Sequence, residues 1–416
     1  MKRFLFALLV AGLSVTAFAQ TEIEVWYSLS ENYGAPEFEA FAQEFNSLQD
    51  DIVVNVVYSG GYTDTLRKAQ AAVAAGSTPN MIMFEQTRGV GFVDAGAVLP
   101  LEPFIEADAE FDLEDFFKPL LRSCTIDGQL YCLPYNTSTP LIYYNKDLFR
   151  EAGLDPEEDF PSTWDELMEV GPKLAKTGED GELSQWAFGL ATAPGWLFDA
   201  WLGQAGGRYL NEDGTEWVFN DENGVQVLEF WLDLIEADAA RPSGSQTPDF
   251  FGGKQVMMAG STATLQSNFD RAEFDIGAAP VWCGEECYVP FGGANFYIMD
   301  VRDSDEEQAA WEFLTWLTST EKGAEFAAAT GYMAPRKSSL ETATLQETFE
   351  ALPEARITYE QMDSHGHPRT LVPYWGEVHS QLTLLTEKVL LDGQDPQAAL
   401  DAAVEEANRL LDVYSR

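Results

Sequence analysis

An alternation of strand and helix patterns near the N-terminus constrains the fold most. Ile23, Val25 and Tyr27 alternate with polar residues, which is typical of a strand. DIVVNVVYSG and NMIMFE predict two further strands, and the second is apolar on both faces, as buried parallel strands are. A helix opened by Pro36 and a helix ended by Gly76 separate the three strands. This β-α-β-α-β order predicts an α/β domain with helices on the faces of a sheet.

The length of the chain indicates two domains. It has 416 residues, whereas a single hydrophobic core stops growing at roughly 250–300 residues. Further along, VPFGGANFYIM predicts a strand that returns to the first domain, and Ser304 with Glu307 predicts a capping box. We predict an N-terminal lobe of residues 20–134 and 295–340, and a C-terminal lobe of residues 135–294 and 341–416.

The segment MKRFLFALLVAGLSVTAFAQ has the three parts of a secretory signal. Lys2 and Arg3 precede an apolar run that is too short for a typical spanning helix. Small residues at Ala17 and Ala19 occupy the positions that a signal peptidase reads. We predict that residues 1–19 are a signal peptide cleaved after Ala19, with a retained anchor as the alternative. The predicted location is therefore periplasmic or extracellular.

Acidic residues outnumber basic ones, 69 to 24, and the formal net charge is −45. Such a surface repels nucleic acid and anionic lipid, so we expect neither as a partner. It also repels an anionic ligand at long range, but salt screens distant charges and a narrow site can override them locally. The charge bears on solubility more than on the ligand.

The four cysteines form two local pairs. Each pair flanks turn-forming residues, and an oxidising compartment favours disulfides. We therefore predict the bridges Cys124–Cys132 and Cys283–Cys287. Metal binding is the alternative, but the spacings differ from C-x-x-C and the three histidines lie far away in the sequence.

The sequence contains no catalytic motif of a common hydrolase, metalloprotease, nucleotide-binding or dinucleotide-binding type. His365-x-His367 is a conceivable metal site, although a solvated loop is the simpler interpretation. Pairs of carboxylates, as a glycosidase requires, arise by chance among 69 acidic residues. Trp, Tyr, Asn, Ser and Gly are instead concentrated in predicted loops, as in a cleft that binds a polar ligand. We predict a binding protein rather than an enzyme, with no metal or cofactor; an exported carbohydrate-active enzyme is the competing class.

Segments spread over nearly the whole chain resemble one family. They are VWYSLSENYGAPEFEAFAQEFN, YSGGYTDTLRKAQAAVAAG, PYNTSTPLIYYNKDLFREAGLDP, PSTWDEL, VPFGGANFYIM, ATGYMAPR and GQDPQAALDAAVEEANRLL. They resemble family 1 of the extracellular solute-binding proteins of ABC importers, and most of all its glycerol-phosphate branch. The resemblance implies a type II periplasmic-binding-protein fold like that of maltose-binding protein, with two α/β lobes, hinge strands and a central cleft. It also implies hinge closure around a ligand, a monomer, and delivery to a permease and its ATPase.

The resemblance also implies a set of ligand contacts. The matching positions are Tyr62, Glu85, Ser138, Trp196, Ser261, Gly293 and Tyr332, and Arg369 is the nearest candidate for an arginine that binds phosphate. Two departures bear on the ligand. Ala193 replaces a second tryptophan of the branch, which leaves room for a larger head group, and the alignment around Arg369 is shifted by a few residues. A neutral sugar, oligosaccharide or polyol is therefore the alternative to sn-glycerol 3-phosphate or a glycerophosphodiester.

Local sequence gives these residue types a physical rationale. Glu85 ends a strand, at the edge of the sheet where α/β folds bind ligands. Its carboxylate would accept hydrogen bonds from hydroxyl groups. Ser261 precedes a predicted helix, where it would bind an anion or act only as the helix cap. Gly292-Gly293 either lets the backbone approach a ligand or marks a bulge.

Overall fold

The computed structural model describes residues 20–193 and 195–414, so the predicted signal peptide lies outside it. The strands are β1 Thr21–Tyr27, β2 Ile52–Tyr58, β3 Met81–Glu85, β4 Thr125–Ile126, β5 Gln129–Leu130, β6 Cys132–Pro134, β7 Pro140–Asn145, β8 Lys176–Thr177, β9 Leu183–Ala191, β10 Ala240–Ser243, β11 Gln255–Ser261, β12 Ile276–Pro280, β13 Val289–Pro290, β14 Ala294–Ile298 and β15 Gly366–His367.

The helices of the N-terminal half are α1 Ala35–Leu48, α2 Tyr62–Ala75, α3 Val90–Asp94, α4 Glu102–Ala107, α5 Lys118–Leu121, α6 Lys146–Glu151, α7 Trp164–Leu174 and α8 Leu197–Gln204. Those that follow are α9 Glu222–Glu236, α10 Gln246–Phe251, α11 Leu265–Arg271, α12 Ser304–Leu317, α13 Thr320–Thr330, α14 Ala343–Ala351, α15 Ile357–His365, α16 Trp375–Leu390 and α17 Pro396–Tyr414. In the described part of the chain, no helix is both long and apolar enough to span a bilayer.

The first sheet has the strand order β2-β1-β3-β14-β6. β1 runs parallel to β2 and β3, whereas β14 is antiparallel to β3 and β6. The strand in VPFGGANFYIM thus returns to the first sheet, as its sequence predicts. Buried Val25, Phe84, Phe296 and Trp311 belong to the core around this sheet.

The second sheet has the order β10-β9-β11-β7-β12 and its own core. β9 runs parallel to β10 and β11, while β7 is antiparallel to β11 and β12. Tryptophans make up much of this core, namely Trp164, Trp201, Trp217, Trp231, Trp282 and Trp375. Two sheets with two separate cores confirm the predicted two-lobe α/β architecture.

Two chain segments cross between the sheets side by side. Ser138 donates its backbone N–H to the Gly292 carbonyl at 3.0 Å, and Gly292 donates to the Ser138 carbonyl at 2.7 Å. These segments are the hinge between the lobes. After the predicted boundary at residue 340, α14 still packs on α13 through Leu345 and Phe349. The limits of the lobes stay a prediction.

The capping box expected at Ser304 is wrong by one residue. Asp303 is the cap, because its carboxylate accepts from the N–H groups of Asp305 at 3.1 Å and Glu306 at 3.3 Å. Its negative charge also interacts favourably with the positive end of the helix dipole, which a serine hydroxyl cannot match. Glu307 instead accepts from the N–H of Arg302 at 3.0 Å.

Both predicted disulfides are present, Cys124–Cys132 and Cys283–Cys287. The first ties the short β4–β5 hairpin to β6 of the first sheet. The second closes the loop between β12 and β13 in the second lobe. Metal binding by these four cysteines is therefore wrong.

Gly293 is required by the hinge itself. Its φ is +107°, and a Cβ there would lie 1.8 Å from the carbonyl oxygen of Asn136. Backbone strain and steric overlap each cost about 1–3 kcal/mol. We therefore expect Gly293→Ala to lower the free energy of unfolding by at least about 2 kcal/mol, measured by urea denaturation.

Gly244→Ala is the matched control for this substitution. Gly244 is exposed, and a Cβ there meets nothing within 4 Å. Equal urea midpoints for the two variants would show that the hinge does not need glycine at position 293.

Candidate functional site

A cavity of about 420 Å³ lies in the cleft and is lined by residues of both lobes. Its size is in the range of roughly 300–1,000 Å³ that small-molecule sites occupy. The segments that follow β1, β2 and β3 all contribute, at the sheet edge where α/β folds bind ligands. The lining residues are Ser28, Leu29, Ser30, Tyr33, Tyr58, Gly61, Tyr62, Glu85, Arg88, Ser138, Gly195, Trp196, Ser261, Gly292, Gly293, Tyr332, Arg369, Trp375 and His379.

The structure brings all the predicted contact residues to this one cavity. They are Tyr62, Glu85, Ser138, Trp196, Ser261, Gly293, Tyr332 and Arg369. Their places in the fold differ. Two begin or end regular elements of the first lobe, two lie in the hinge, Ser261 ends β11 of the second sheet, and the others lie in loops. That each one contacts a ligand stays a prediction.

Aromatic side chains form much of the cavity wall. Tyr33 and Tyr58 are 41% and 52% exposed, whereas Tyr62 and Tyr332 lie deeper. Tyr62 accepts a hydrogen bond from Asn136 Nδ2 at 3.5 Å, and burial raises the pKa of Tyr62 to about 12. Tyr62 therefore stays protonated near neutral pH, as an uncharged hydroxyl within reach of a polar ligand.

Glu85 is a buried carboxylate rather than an exposed edge residue. It ends β3 and is 8% exposed. Its Oε1 accepts from Arg369 Nη1 at 2.7 Å, and its Oε2 accepts from Thr87 Oγ1 at 2.5 Å. Arg88 Nε lies 3.6 Å from Oε2. Arg369 and Arg88 thus hold the carboxylate of Glu85 in place in the cavity lining.

Arg369 joins the two lobes. Its side chain is 6% exposed, and Nε donates to Asp199 Oδ2 at 2.8 Å while Nη1 donates to Glu85. Burial alone would lower the pKa of Arg369, but the charges of Asp199 and Glu85 outweigh burial and raise it. The guanidinium therefore stays charged between a carboxylate of the first lobe and one of the second.

Sequence reasoning missed several residues around this site, including Tyr33 and Tyr58. Arg88, Trp375 and His379 line the cavity, and Asp199 lies behind Arg369. Arg88 follows Glu85 closely, and its Nη1 donates to Thr63 Oγ1 at 2.9 Å. Its position just after the strand end could have identified Arg88 as a residue of the site from the sequence alone. Asp199 offered none, because its role depends on a contact with a distant part of the chain.

Other predicted features have local structural roles. The Ser261 hydroxyl accepts from the N–H of Ala263 at 3.1 Å, so it acts as a helix cap as well as lining the cavity. His367 stacks on Tyr288 with ring centroids 4.1 Å apart. Within residues 20–193 and 195–414, no group of three or more potential metal ligands occurs, so His365-x-His367 has no partners for a metal site.

A second cavity adjoins the first and shares part of its wall. It measures about 540 Å³ and shares Tyr33, Trp196 and Ser261 with the first cavity. The rest of its lining is largely polar and includes Gln246, Thr247, Ser267, Asn268 and Arg271. Ala193 is exposed close to Trp196 in the sequence. The cleft therefore has room for a ligand longer than glycerol phosphate.

The ion network predicts that Arg369 matters for stability as well as for binding. Arg369→Ala leaves Glu85 and Asp199 as buried carboxylates without this counter-charge. Breaking a buried ion pair in this way costs about 3–5 kcal/mol. We expect that loss in the free energy of unfolding, measured by chemical denaturation without ligand.

Arg409→Ala is the control for this variant, because the Arg409–Glu406 pair lies on the surface with the arginine 59% exposed. A surface pair contributes only about 0–1 kcal/mol. If Arg369→Ala is as stable as Arg409→Ala, the buried network does not stabilise the fold.

Comparison with known proteins extends over nearly the whole chain. A sequence profile of the bacterial extracellular solute-binding proteins matches residues 40–354. The sn-glycerol-3-phosphate-binding periplasmic protein UgpB of Pectobacterium atrosepticum is 30% identical over 430 residues, which cover 98% of this chain and 94% of that protein.

Solved structures show the same fold. UgpB from Mycobacterium tuberculosis in complex with glycerophosphocholine matches with a TM-score of 0.84 at 23% identity, over 95% of this chain and all of that chain. The sugar-binding protein MalE from Xanthomonas citri matches with a TM-score of 0.80 at 21% identity, over 95% of this chain and 98% of that chain. These likenesses confirm the maltose-binding-protein-like fold predicted from the sequence.

Proposed function

Because this chain belongs to the bacterial extracellular solute-binding protein family, we propose that it captures a glycerol-phosphate-type ligand for an ABC importer. The ligand is sn-glycerol 3-phosphate or a glycerophosphodiester. Family membership makes the protein an extracellular binding protein rather than an enzyme. It acts as a monomer, exported and cleaved after Ala19, and hinge closure presents the loaded form to a permease and its ATPase.

One observation carries this proposal: every position matched to the glycerol-phosphate branch lines a single cavity that also contains two arginines. A relative named for sn-glycerol 3-phosphate is similar over nearly the full length, which supports the same ligand class. The cavity combines aromatic walls with a few charged and hydroxyl groups. That combination suits a small ligand with a hydroxylated end and an anionic end.

The charged groups suit the two ends of the ligand differently. A guanidinium has five N–H donors, and Glu85 and Asp199 each accept one from Arg369. The remaining donors of Arg369, with Arg88, bind the phosphate. Lone pairs of Glu85 accept hydrogen bonds from the glycerol hydroxyls, together with the hydroxyl of Tyr62.

The remaining predicted residues complete the cleft. Trp196 packs against the apolar face of the glycerol, and Tyr332 stacks on Phe326 with ring centroids 5.6 Å apart, which fixes its ring in the cavity wall. Ser138, Ser261 and the backbone at Gly293 add hydrogen-bonding groups close to the hinge. The alcohol portion of a diester extends past Trp196 into the second cavity.

The ligand class is tested by isothermal titration calorimetry with sn-glycerol 3-phosphate, glycerophosphocholine and maltose. We expect the two phosphate ligands to bind and maltose not to bind, because only the phosphates use the arginines. A ligand that binds only the folded protein also raises its thermal midpoint. Binding of maltose alone would replace this proposal with a sugar-binding function.

Glu85→Gln tests the hydroxyl-binding role. Loss of charge-assisted hydrogen bonds, at roughly 1.5–3 kcal/mol, should weaken binding about tenfold to a hundredfold. The amide oxygen still accepts from Arg369, so we expect the variant to remain folded. Glu405→Gln, at an exposed position of α17, is the control. Unchanged affinity in calorimetry would remove Glu85 from the site.

A further inference from the structure

Asp199 lies behind the cavity, and among the described residues of the lining its carboxylate is hydrogen-bonded to Arg369 alone. It sits in the first turn of α8 and is 5% exposed. Oδ2 accepts from Arg369 Nε at 2.8 Å, and Oδ1 accepts from the Tyr209 hydroxyl at 2.6 Å. Burial raises the pKa of Tyr209 well above its usual value, so that hydroxyl stays a donor. Both oxygens of Asp199 are therefore directed at fixed partners.

The charges around the cavity balance only when Asp199 is included. Among the described residues of the lining, Glu85 is the one carboxylate, while Arg88 and Arg369 are both cations. Burial lowers the pKa of His379, so this lining residue is neutral near pH 7. The lining alone carries one net positive charge, and Asp199 cancels it from behind.

Phosphate ligands differ in net charge, so the net charge of the cavity affects their binding differently. A phosphodiester carries one negative charge, whereas a phosphomonoester, with a second pKa near 6, carries about 1.5–2 at pH 7. Charges a few ångström apart at a partly buried site interact several times more strongly than in water. An additional ligand charge is therefore costly unless the site holds a matching positive charge.

We propose that Asp199 is a specificity-determining residue: by neutralising Arg369, it makes the cleft prefer phosphodiesters, which are monoanionic or zwitterionic, over dianionic phosphomonoesters. This inference rests on the proposed function and deepens it. Asp199 does not touch the ligand; it acts by setting the charge that the ligand meets. The second cavity, with its room for the alcohol portion of a diester, is consistent with the same preference.

Asp199→Asn tests the proposal because it removes the charge and keeps the shape. The amide oxygen can accept from Arg369 Nε, and the amide N–H can donate to the Tyr209 hydroxyl oxygen. We expect the affinity for sn-glycerol 3-phosphate, relative to that for glycerophosphocholine, to rise by about tenfold or more. Asp233→Asn, an exposed position of α9 that lies outside the lining, is the charge-matched control and should leave the ratio unchanged.

A pH series separates the charge effect from a structural one. The titratable groups near Asp199 are Arg369, Tyr209, Glu85, Tyr288 and His379. The raised pKa values of Arg369, Tyr209 and Tyr288 keep the charge states of these three groups constant over the pH range of the series. Burial raises the pKa of Asp199 and lowers the pKa of His379. Any protonation of either group at low pH adds positive charge, which changes the ratio in the same direction as the loss of charge from the monoester. As pH falls from about 8 to about 5.5, the monoester loses most of its second charge. For the wild-type protein, the affinity for sn-glycerol 3-phosphate relative to that for glycerophosphocholine should then rise. This rise should be smaller for Asp199→Asn.

The outcomes distinguish this inference from the function on which it rests. If the wild-type protein binds neither phosphate ligand, the proposed function fails and this inference with it. If both bind but Asp199→Asn changes their affinities equally, the inference alone fails. Should the variant not fold, the wild-type pH series still decides, because a monoester-to-diester ratio that stays constant with pH contradicts a charge-based preference.

Discussion

The buried guanidinium of Arg369, shared between a carboxylate of each lobe, is the interaction on which the cleft depends. A charge removed from water costs several kcal/mol unless a partner compensates for it. Arg369, Glu85 and Asp199 therefore act as a unit, in which removal of one member leaves the others uncompensated. Because Glu85 ends a strand of the first sheet and Asp199 lies in the first turn of a helix of the second lobe, the electrostatics of the site are tied to how the lobes are placed.

The hinge lies directly beside this unit. Glu85 pairs with Ala294 across β3 and β14, and the next residue, Gln86, donates its N–H to the Gly293 carbonyl at 3.1 Å. Gly293 in turn packs against the Asn136 carbonyl, where no side chain fits. The strand end that carries Glu85 is therefore hydrogen-bonded directly to the hinge backbone.

The sequence predicted those features that depend on neighbours in the chain. β1 follows from apolar alternation and β3 from a short apolar run, the bridge Cys124–Cys132 follows from a short spacing, and the place of Glu85 follows from the end of a strand. The cap of α12 was misplaced because Asp303 and Ser304 are adjacent and both can cap, and only backbone geometry decides between them. Asp199 was missed for a different reason. Its contact with Arg369 joins parts of the chain 170 residues apart, and periodicity carries no information at that distance.

Under the proposed function, the strongly acidic surface and the nearly neutral site would disfavour multiply charged ligands by two different routes. The formal charge of −45 repels every anion in proportion to its charge, but salt screens this repulsion beyond about 8–10 Å at physiological ionic strength. The pair formed by Asp199 and Arg369 is buried, so added salt leaves it nearly unchanged. Under the proposed function, long-range repulsion would affect how fast an anionic ligand arrives, whereas the buried pair would affect which ligand stays. An acidic protein can thus bind a phosphate ligand without a basic surface, provided that its few cleft arginines are held in place by buried carboxylates.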